Sequence, residues 1–112
     1  MHKPQLNRSL VLEGPVRIAD GAGGFTARWE PLGVLWAEIR AGSGRDALAG
    51  QVPVAQLPLK ITVRAAPQGA ASRPLPGQRF VDGSRIFRIR AVAEQGAFAQ
   101  LLVCHAEEEV SP

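Results

Sequence analysis

The stretch "DGAGGFTARWEPLGVLWAEIR" (Asp20–Arg40) decides the fold class, because turn residues in it alternate with short apolar runs. Its opening "DGAGG" predicts a tight turn, since Asp-Gly and Gly-Gly pairs readily adopt positive φ. A strand is predicted over Phe25–Glu30, a second turn at Glu30–Gly33 and a further strand over Val34–Arg40. Such a pattern is typical of consecutive β-strands joined by tight turns.

Similar short strands are predicted on both sides of this stretch. The clearest is Leu59–Ala65, where apolar residues alternate strictly with Lys60, Thr62 and Arg64, as in a half-buried strand. The remaining predicted strands are Ser9–Ile18, Gln78–Phe80, Arg85–Glu94 and Ala97–Glu109. Because Pro and Gly punctuate the chain and no long helical pattern is present, the fold class is all-β, as a barrel or a sandwich.

The strand predicted at Arg85–Glu94 follows a hairpin signal, the Asp82-Gly83 pair. Its apolar members Phe87, Ile89 and Ala91 are expected to share one face. The same period puts Arg88 and Arg90 together on the opposite face, where they are available for contacts.

A chain of 112 residues is expected to form a single domain with its own core. We expect a flexible N-terminus over residues 1–7, one domain over residues 8–109 and a short tail over residues 110–112. The segment Ala41–Pro58 interrupts the strand pattern and is predicted to be a long loop, with at most one short helix at Arg45–Gly50. Connections of this length in a small domain are usually functional or flexible.

The composition excludes several classes of protein. A single cysteine cannot form an internal disulfide, and no apolar run approaches the roughly 20 residues that span a bilayer. The N-terminus lacks the apolar stretch of a signal peptide, so synthesis in the cytoplasm and no membrane partner are expected. The net charge of +3 is uneven, because Glu107–Glu109 form an acidic end on an otherwise basic chain. A basic surface of this kind suits nucleic acid, an acidic partner or simple solvation.

Catalytic chemistry is not indicated. The only histidines are His2 and His105, and His105 follows Cys104, so in a strand the two side chains point to opposite faces. The chain has neither the spacing of a metal site nor a phosphate-binding loop pattern. We therefore expect no enzyme activity, no catalytic residue, no cofactor and no metal.

Five segments in order give the chain its resemblance to a known family: "DGAGGFTARW", "LWAEIR", "KITVR", "RIFRIRAV" and "LLVCHAEE". Together they resemble the small head-tail joining proteins of tailed bacteriophages, also called adaptor, head completion or stopper proteins. The resemblance covers residues 8–109. The composition, rich in Arg and Ala, is similar to versions from prophages and gene transfer agents.

The resemblance implies a small β-barrel that assembles as a ring in the neck of the particle. The ring would be a hexamer, with a dodecamer as the alternative, below the portal or adaptor ring and above the tail terminator or tail tube. It would close the channel that holds packaged double-stranded DNA and dock the tail. The open alternatives are an adaptor or tail-terminator ring of the same particle, or a small nucleic-acid-binding β-barrel.

Three sets of site residues are predicted, the first from this resemblance and the other two from strand facing and charge. The loop residues expected to project toward the channel are Gly42, Gly44, Arg45, Asp46 and Gly50. The residues expected to contact a neighbouring subunit or ring are Arg85, Arg88, Arg90, Glu107, Glu108 and Glu109. The structural anchors are Asp20, Gly21, Gly23, Gly24, Trp29 and Trp36, and both tryptophans are expected to be largely buried.

Overall fold

The computed structural model describes residues 2–42 and 58–109, and these ranges contain strands and turns but no helix. Its strands are β1 (Arg8–Ala19), β2 (Phe25–Ala41), β3 (Pro58–Arg64), β4 (Arg79–Asp82), β5 (Arg85–Gln95) and β6 (Leu101–Glu109). Every pairing is antiparallel, and β4 pairs back onto β1, so the order β1-β2-β3-β6-β5-β4 closes into a barrel. The predicted all-β fold is confirmed, whereas the helix predicted at Arg45–Gly50 lies outside the described residues.

The antiparallel order collects the connections at two ends of the barrel. At one end, which we name the Gly42 end, lie the start of β1, the turn between β4 and β5, and the last residues of β6. The opposite end, named the Phe98 end, carries the connections over residues 20–24, 65–78 and 96–100. Beyond the closed part of the barrel, residues 14–19 of β1 pair only with β2, so these two strands extend as a two-stranded arm.

The core lies inside the barrel and is built from the inward residues of all six strands. Phe80 and Phe87 are its largest members; they are directly opposite each other on β4 and β5, and both are fully buried. The other buried apolar residues are Leu10, Leu12, Ala37, Ile61, Val63, Ile89, Leu102, Cys104 and Ala106. The alternation predicted for β3 is confirmed for Ile61 and Val63, which face this core, and for Lys60 and Arg64, which are exposed. Thr62, predicted with the polar set, is buried.

The predicted turn at Glu30–Gly33 is wrong. The chain stays extended there and β2 runs without interruption from Phe25 to Ala41. Leu12 pairs with Gly33 and Glu13 pairs with Pro31, so Leu32 is an extra residue in β2 and forms a β-bulge. The bulge accommodates a Pro and a Gly that would weaken a regular ladder, and it directs Leu32 onto the core.

The prediction that Phe87, Ile89 and Ala91 share one face of β5 is wrong for Ala91, because β5 contains a second bulge. Ile89 pairs with Ala106 and Ala91 pairs with His105, which leaves Arg90 as the extra residue. The alternation therefore changes phase at Arg90, and Ala91 is exposed instead of facing the core with Ile89. Val92 takes the inward position and packs against the core.

The prediction that the tryptophans are largely buried is wrong for Trp36. Trp36 is 60% exposed, because it shares the outer face of β2 with the exposed Val34 while Leu35 and Ala37 face inward. Trp29 is half-buried, and the Arg79 guanidinium lies 4.1 Å from the centre of its ring. The interior is filled by phenylalanines and aliphatic residues, and the tryptophans lie outside it.

The predicted turn after β1 is confirmed. One carboxylate oxygen of Asp20 accepts hydrogen bonds from the amides of Ala22 (2.8 Å) and Gly24 (3.0 Å). The backbone reaches positive φ at Gly21 (80°) and Gly23 (85°), which explains the glycines. The hydrogen bonds from Ala22 and then Gly24 hold the pKa of Asp20 below its ordinary value.

Candidate functional site

The six residues predicted to contact neighbouring subunits come together on adjacent strands and pair with each other. Their ion pairs across β5 and β6 are Arg85–Glu108 (2.8 Å), Arg90–Glu107 (3.3 Å) and Arg88–Glu109 (3.5 Å). Each pair joins an arginine of β5 to a glutamate of β6 in the same chain. The arginines are therefore already neutralised within one subunit, and their role in ring contacts stays a prediction.

The Arg85–Glu108 pair is joined by two hydrogen bonds. Nε and Nη2 of Arg85 donate to the two carboxylate oxygens of Glu108 at 2.8 and 3.0 Å. The hydrogen bond from Arg85 lowers the pKa of Glu108, and the same contact raises the pKa of Arg85. Arg8 and Asp82 form a further ion pair at 2.6 Å at this end of the barrel. These four ion pairs each join an arginine to a carboxylate of opposite charge on the strands β1, β4, β5 and β6.

The predicted channel loop can be described only at its two ends. The amide of Gly42 donates to the carbonyl of Pro58 at 2.8 Å, so the ends of the segment lie side by side. A Cβ at Gly42 would stand 2.9 Å from Cβ, Cγ and O of Pro58, which explains the glycine. The other predicted loop residues, Gly44, Arg45, Asp46 and Gly50, lie outside the described residues.

A cationic surface that the sequence did not single out covers the outer face of β2, β3 and β6. In the strand register Arg40 is directly opposite Lys60, and Lys60 is directly opposite His105. Arg64 lies further along the outer face of β3 and lines a cleft of about 440 Å³ together with Lys3 of the N-terminal segment. We name this surface, formed by Lys3, Arg40, Lys60, Arg64 and His105, the basic face.

The N-terminal segment crosses the basic face and forms a second cleft there, of about 400 Å³. Glu38 lines this cleft and accepts hydrogen bonds from His2 Nε2 (2.8 Å) and the Gln5 amide (2.9 Å). Partial burial acts to raise the pKa of Glu38, but the bonds from Gln5 and His2 outweigh it, so the pKa lies below its ordinary value. Lys60 lines the same cleft, as does Thr62, which is only 7% exposed although its position faces outward.

The Phe98 end has a different chemistry. The Phe98 side chain is 90% exposed, on a turn in which the Phe98 amide donates to Oε1 of Gln100 at 3.0 Å. Phe25, at the outer end of the arm, is 60% exposed and lies under the guanidinium of Arg17 at 4.4 Å. Large apolar side chains on the tips of connections are typical of surfaces that meet another protein.

The cysteine and histidine in β6 occupy opposite faces, as predicted. Cys104 is fully buried, and burial raises the pKa of its thiol to about 12. His105 is exposed on the basic face. Across residues 2–42 and 58–109, no three side chains of His, Cys, Asp or Glu lie close enough together to hold a metal ion. These two ranges also contain no helix long and apolar enough to cross a membrane.

Comparison with known proteins connects this barrel to virus particles. The model of the phage head completion protein family matches residues 1–109. A chain from the virion of a native gene transfer agent particle is 54% identical, with a TM-score of 0.78 over 97% of this chain and 100% of that one. A protein from Shigella flexneri 2a, solved in solution, has a TM-score of 0.72 at 17% identity over 100% of both chains, so it shares the fold. No curated protein sequence matches the chain.

Proposed function

The chain belongs to the phage head completion protein family, and we propose that it is the stopper of a tailed phage or gene transfer agent. In this role copies of the barrel form a ring in the neck of the particle, below the portal and adaptor. The ring closes the DNA channel after packaging and provides the docking surface for the tail. The observation that carries the proposal is the 54% identity, over nearly the whole chain, to a component of a gene transfer agent virion.

The two ends of the barrel support a position between two different neighbours. The Gly42 end is rich in matched charges such as Arg8–Asp82, whereas the Phe98 end presents Phe98 and Phe25 to solvent. A connector has to bind one assembly on one side and a different assembly on the other. Two chemically distinct ends suit this requirement, because each end would bind a different partner.

A ring requires a contact between unlike surfaces of neighbouring copies, repeated around an axis. Val34 and Trp36, both mostly exposed, line a groove of about 270 Å³ beside Ala65 and Ala66 on the outer surface. We propose that this groove belongs to the contact between subunits. Tryptophan is enriched among the residues that dominate binding energy in protein interfaces, which agrees with this assignment.

The segment 41–58 is proposed to contribute the closure of the channel. The hydrogen bond between Gly42 and Pro58 supports this proposal, because it holds the end of β2 next to the start of β3. Changes between these two residues therefore need not disturb the two strands. Shortening the chain between Gly42 and Pro58 is expected to leave the barrel folded while particles lose DNA.

The proposal is tested by deleting the gene from the producing strain and examining the particles by electron microscopy. A stopper predicts heads that package DNA but lose it, together with free tails, and restoration of both defects by the wild-type gene. An adaptor or tail-terminator role predicts a different defect, either portals that bind no further ring or tails of abnormal length. Normal, DNA-filled and tailed particles in the deletion strain would contradict the proposal.

A further inference from the structure

We propose that the basic face binds the phosphate backbone of double-stranded DNA. The proposal rests on the proposed function only in assuming that packaged DNA lies within reach of the barrel. It assigns the DNA contact to Arg40, Lys60 and their neighbours on the basic face.

The first argument is that cations placed side by side lower the stability of the folded chain. Arg40 and Lys60 are directly opposite each other on neighbouring strands. Like charges at directly opposite positions destabilise a sheet. No ion pair within 4 Å in the described ranges includes Arg40, Lys60 or Arg64. Glu38 attracts Arg40 at longer range, whereas no carboxylate pairs with Lys60 there. A row of this kind is stabilised when an anion lies across it.

The second argument is that the described residues of a second copy include few carboxylates without a basic partner. Of the carboxylates within residues 2–42 and 58–109, all except Asp20 and Glu30 lie within 4 Å of a basic group of the same chain. Asp20 is itself engaged by two backbone amides. Two carboxylates line the cleft of about 400 Å³ on the basic face, and both have partners. Glu38 contacts His2, and Glu94 contacts Arg73. Within the described ranges, few carboxylates are therefore left to pair with the basic face of a second copy.

The third argument is the size of the surface. Neighbouring strands lie about 4.8 Å apart, so the row from Arg40 to His105 spans roughly 10 Å. Lys60 and Arg64 are four residues apart on one strand, a distance of about 13 Å. Double-stranded DNA carries one negative charge per roughly 1.7 Å of axis, so a footprint of this size faces several phosphates. Contacts to phosphate alone give binding that is independent of base sequence and strongly dependent on salt.

The test measures binding of the purified full chain to a fluorescent double-stranded oligonucleotide of mixed sequence, over a series of salt concentrations. The test variant carries Arg40→Gln and Lys60→Gln together. The matched control carries Arg88→Gln and Arg90→Gln, which changes the net charge equally but removes cations that already have glutamate partners. A second test pair, Lys3→Gln with Arg64→Gln, covers the case in which the first variant does not fold, as judged by its thermal melting.

We expect the wild-type chain to bind, and both test pairs to bind more weakly than the control. Removing two phosphate contacts is expected to make the negative slope of log affinity against log salt shallower by about 1.8. Affinity at low salt is expected to fall roughly tenfold. Absence of binding by the wild-type chain at low salt would overturn the proposal. Equal losses in test and control variants would overturn it too, because net charge alone would then explain the binding.

Particles produced with the Arg40→Gln and Lys60→Gln variant separate this proposal from the stopper role. We expect these particles to join heads to tails and to retain less DNA. If they fail to join tails while the purified variant binds DNA normally, the basic face is a site for an acidic protein partner and the proposal is wrong. The oligonucleotide assay does not depend on the position of the chain in the particle, so its failure leaves the stopper role standing.

Discussion

Lys60 lies directly opposite Arg40 in the pairing of β2 with β3, and both side chains belong to the outer face of the barrel. These two residues are close to the points where the chain leaves β2 and enters β3, next to the bonded pair Gly42 and Pro58. The segment proposed to close the channel is thus flanked by the cations proposed to contact DNA. Holding two like charges side by side is unfavourable for the free subunit.

The first prediction follows from this repulsion. We expect Lys60→Gln to raise the free energy of unfolding by about 0.2–1 kcal/mol at low salt, because it removes a like-charge pair. The gain should shrink as salt screens exposed charges. Urea unfolding at two salt concentrations measures this change in the free energy of unfolding. Arg88→Gln is the control, because it removes a cation that has a glutamate partner. If Lys60→Gln were less stable than wild type at low salt, a negatively charged group of the same chain would have to be attracting Lys60.

The second prediction contrasts a core aromatic with a surface aromatic. Phe80→Ala should lower the free energy of unfolding by about 3–5 kcal/mol, because the side chain is fully buried against Phe87. Trp36→Ala should change it by less than about 1 kcal/mol, because Trp36 is 60% exposed. Urea unfolding of the monomer provides the measurement. Comparable losses in the two variants would mean that Trp36 is packed in solution.

The third prediction concerns acid stability. The pKa of Glu108 is lowered chiefly by Arg85, so the carboxylate stabilises the fold above the pKa of an unfolded Glu, about 4.3. That stabilisation is lost as pH falls through the lower pKa of the folded state. Glu108→Gln should therefore be less stable than wild type near neutral pH and should lose less stability on acidification. Unfolding free energies measured at neutral and acid pH test this, and parallel pH curves for the two proteins would contradict it.

The fourth prediction concerns Cys104. Because its side chain is fully buried and its pKa is raised to about 12, the thiol should not react with a disulfide reagent at mildly alkaline pH in the folded protein. It should react fully once the chain is unfolded in denaturant. The rate of thiol release, followed by absorbance under both conditions, provides the check. Rapid reaction of the folded protein would place Cys104 outside the core.

Local features of this fold could be predicted from the sequence because neighbouring residues determine them. The alternation in β3 identified its core face, and the Asp-Gly and Gly-Gly pairs identified the turn after Asp20. The opposite facing of Cys104 and His105 follows from the same two-residue period. Each of these features depends on a few residues in a row, with no knowledge of which strands become partners.

Features that depend on pairing between distant strands could not be predicted. The bulges at Leu32 and Arg90 exist only because of the register with β1 and β6, so β2 was divided in two and Ala91 was placed on the wrong face. The face that carries Trp36 could not be assigned from alternation alone. Alternation gives two sets of residues but does not say which set is enclosed when the barrel closes.

The candidate site was located only in part for the same reason. The arginines of β5 stood out in the sequence as a basic run, but their partners on β6 became visible only through the strand register. Arg40, Lys60 and His105 are far apart in sequence, and pairing alone brings them into one row. One signal was available: Arg40 and Lys60 both occupy outward positions of strands that flank the predicted loop.

The most direct test of the central claim is a cryo-electron microscopy reconstruction of the neck of the particle that contains this chain. The account predicts a ring of these barrels between the portal side and the tail, with the basic face and the segment 41–58 directed toward the DNA in the channel. Density for the chain on the capsid surface or at the distal end of the tail would contradict the account. A neck ring whose channel is closed entirely by another protein would contradict the stopper role.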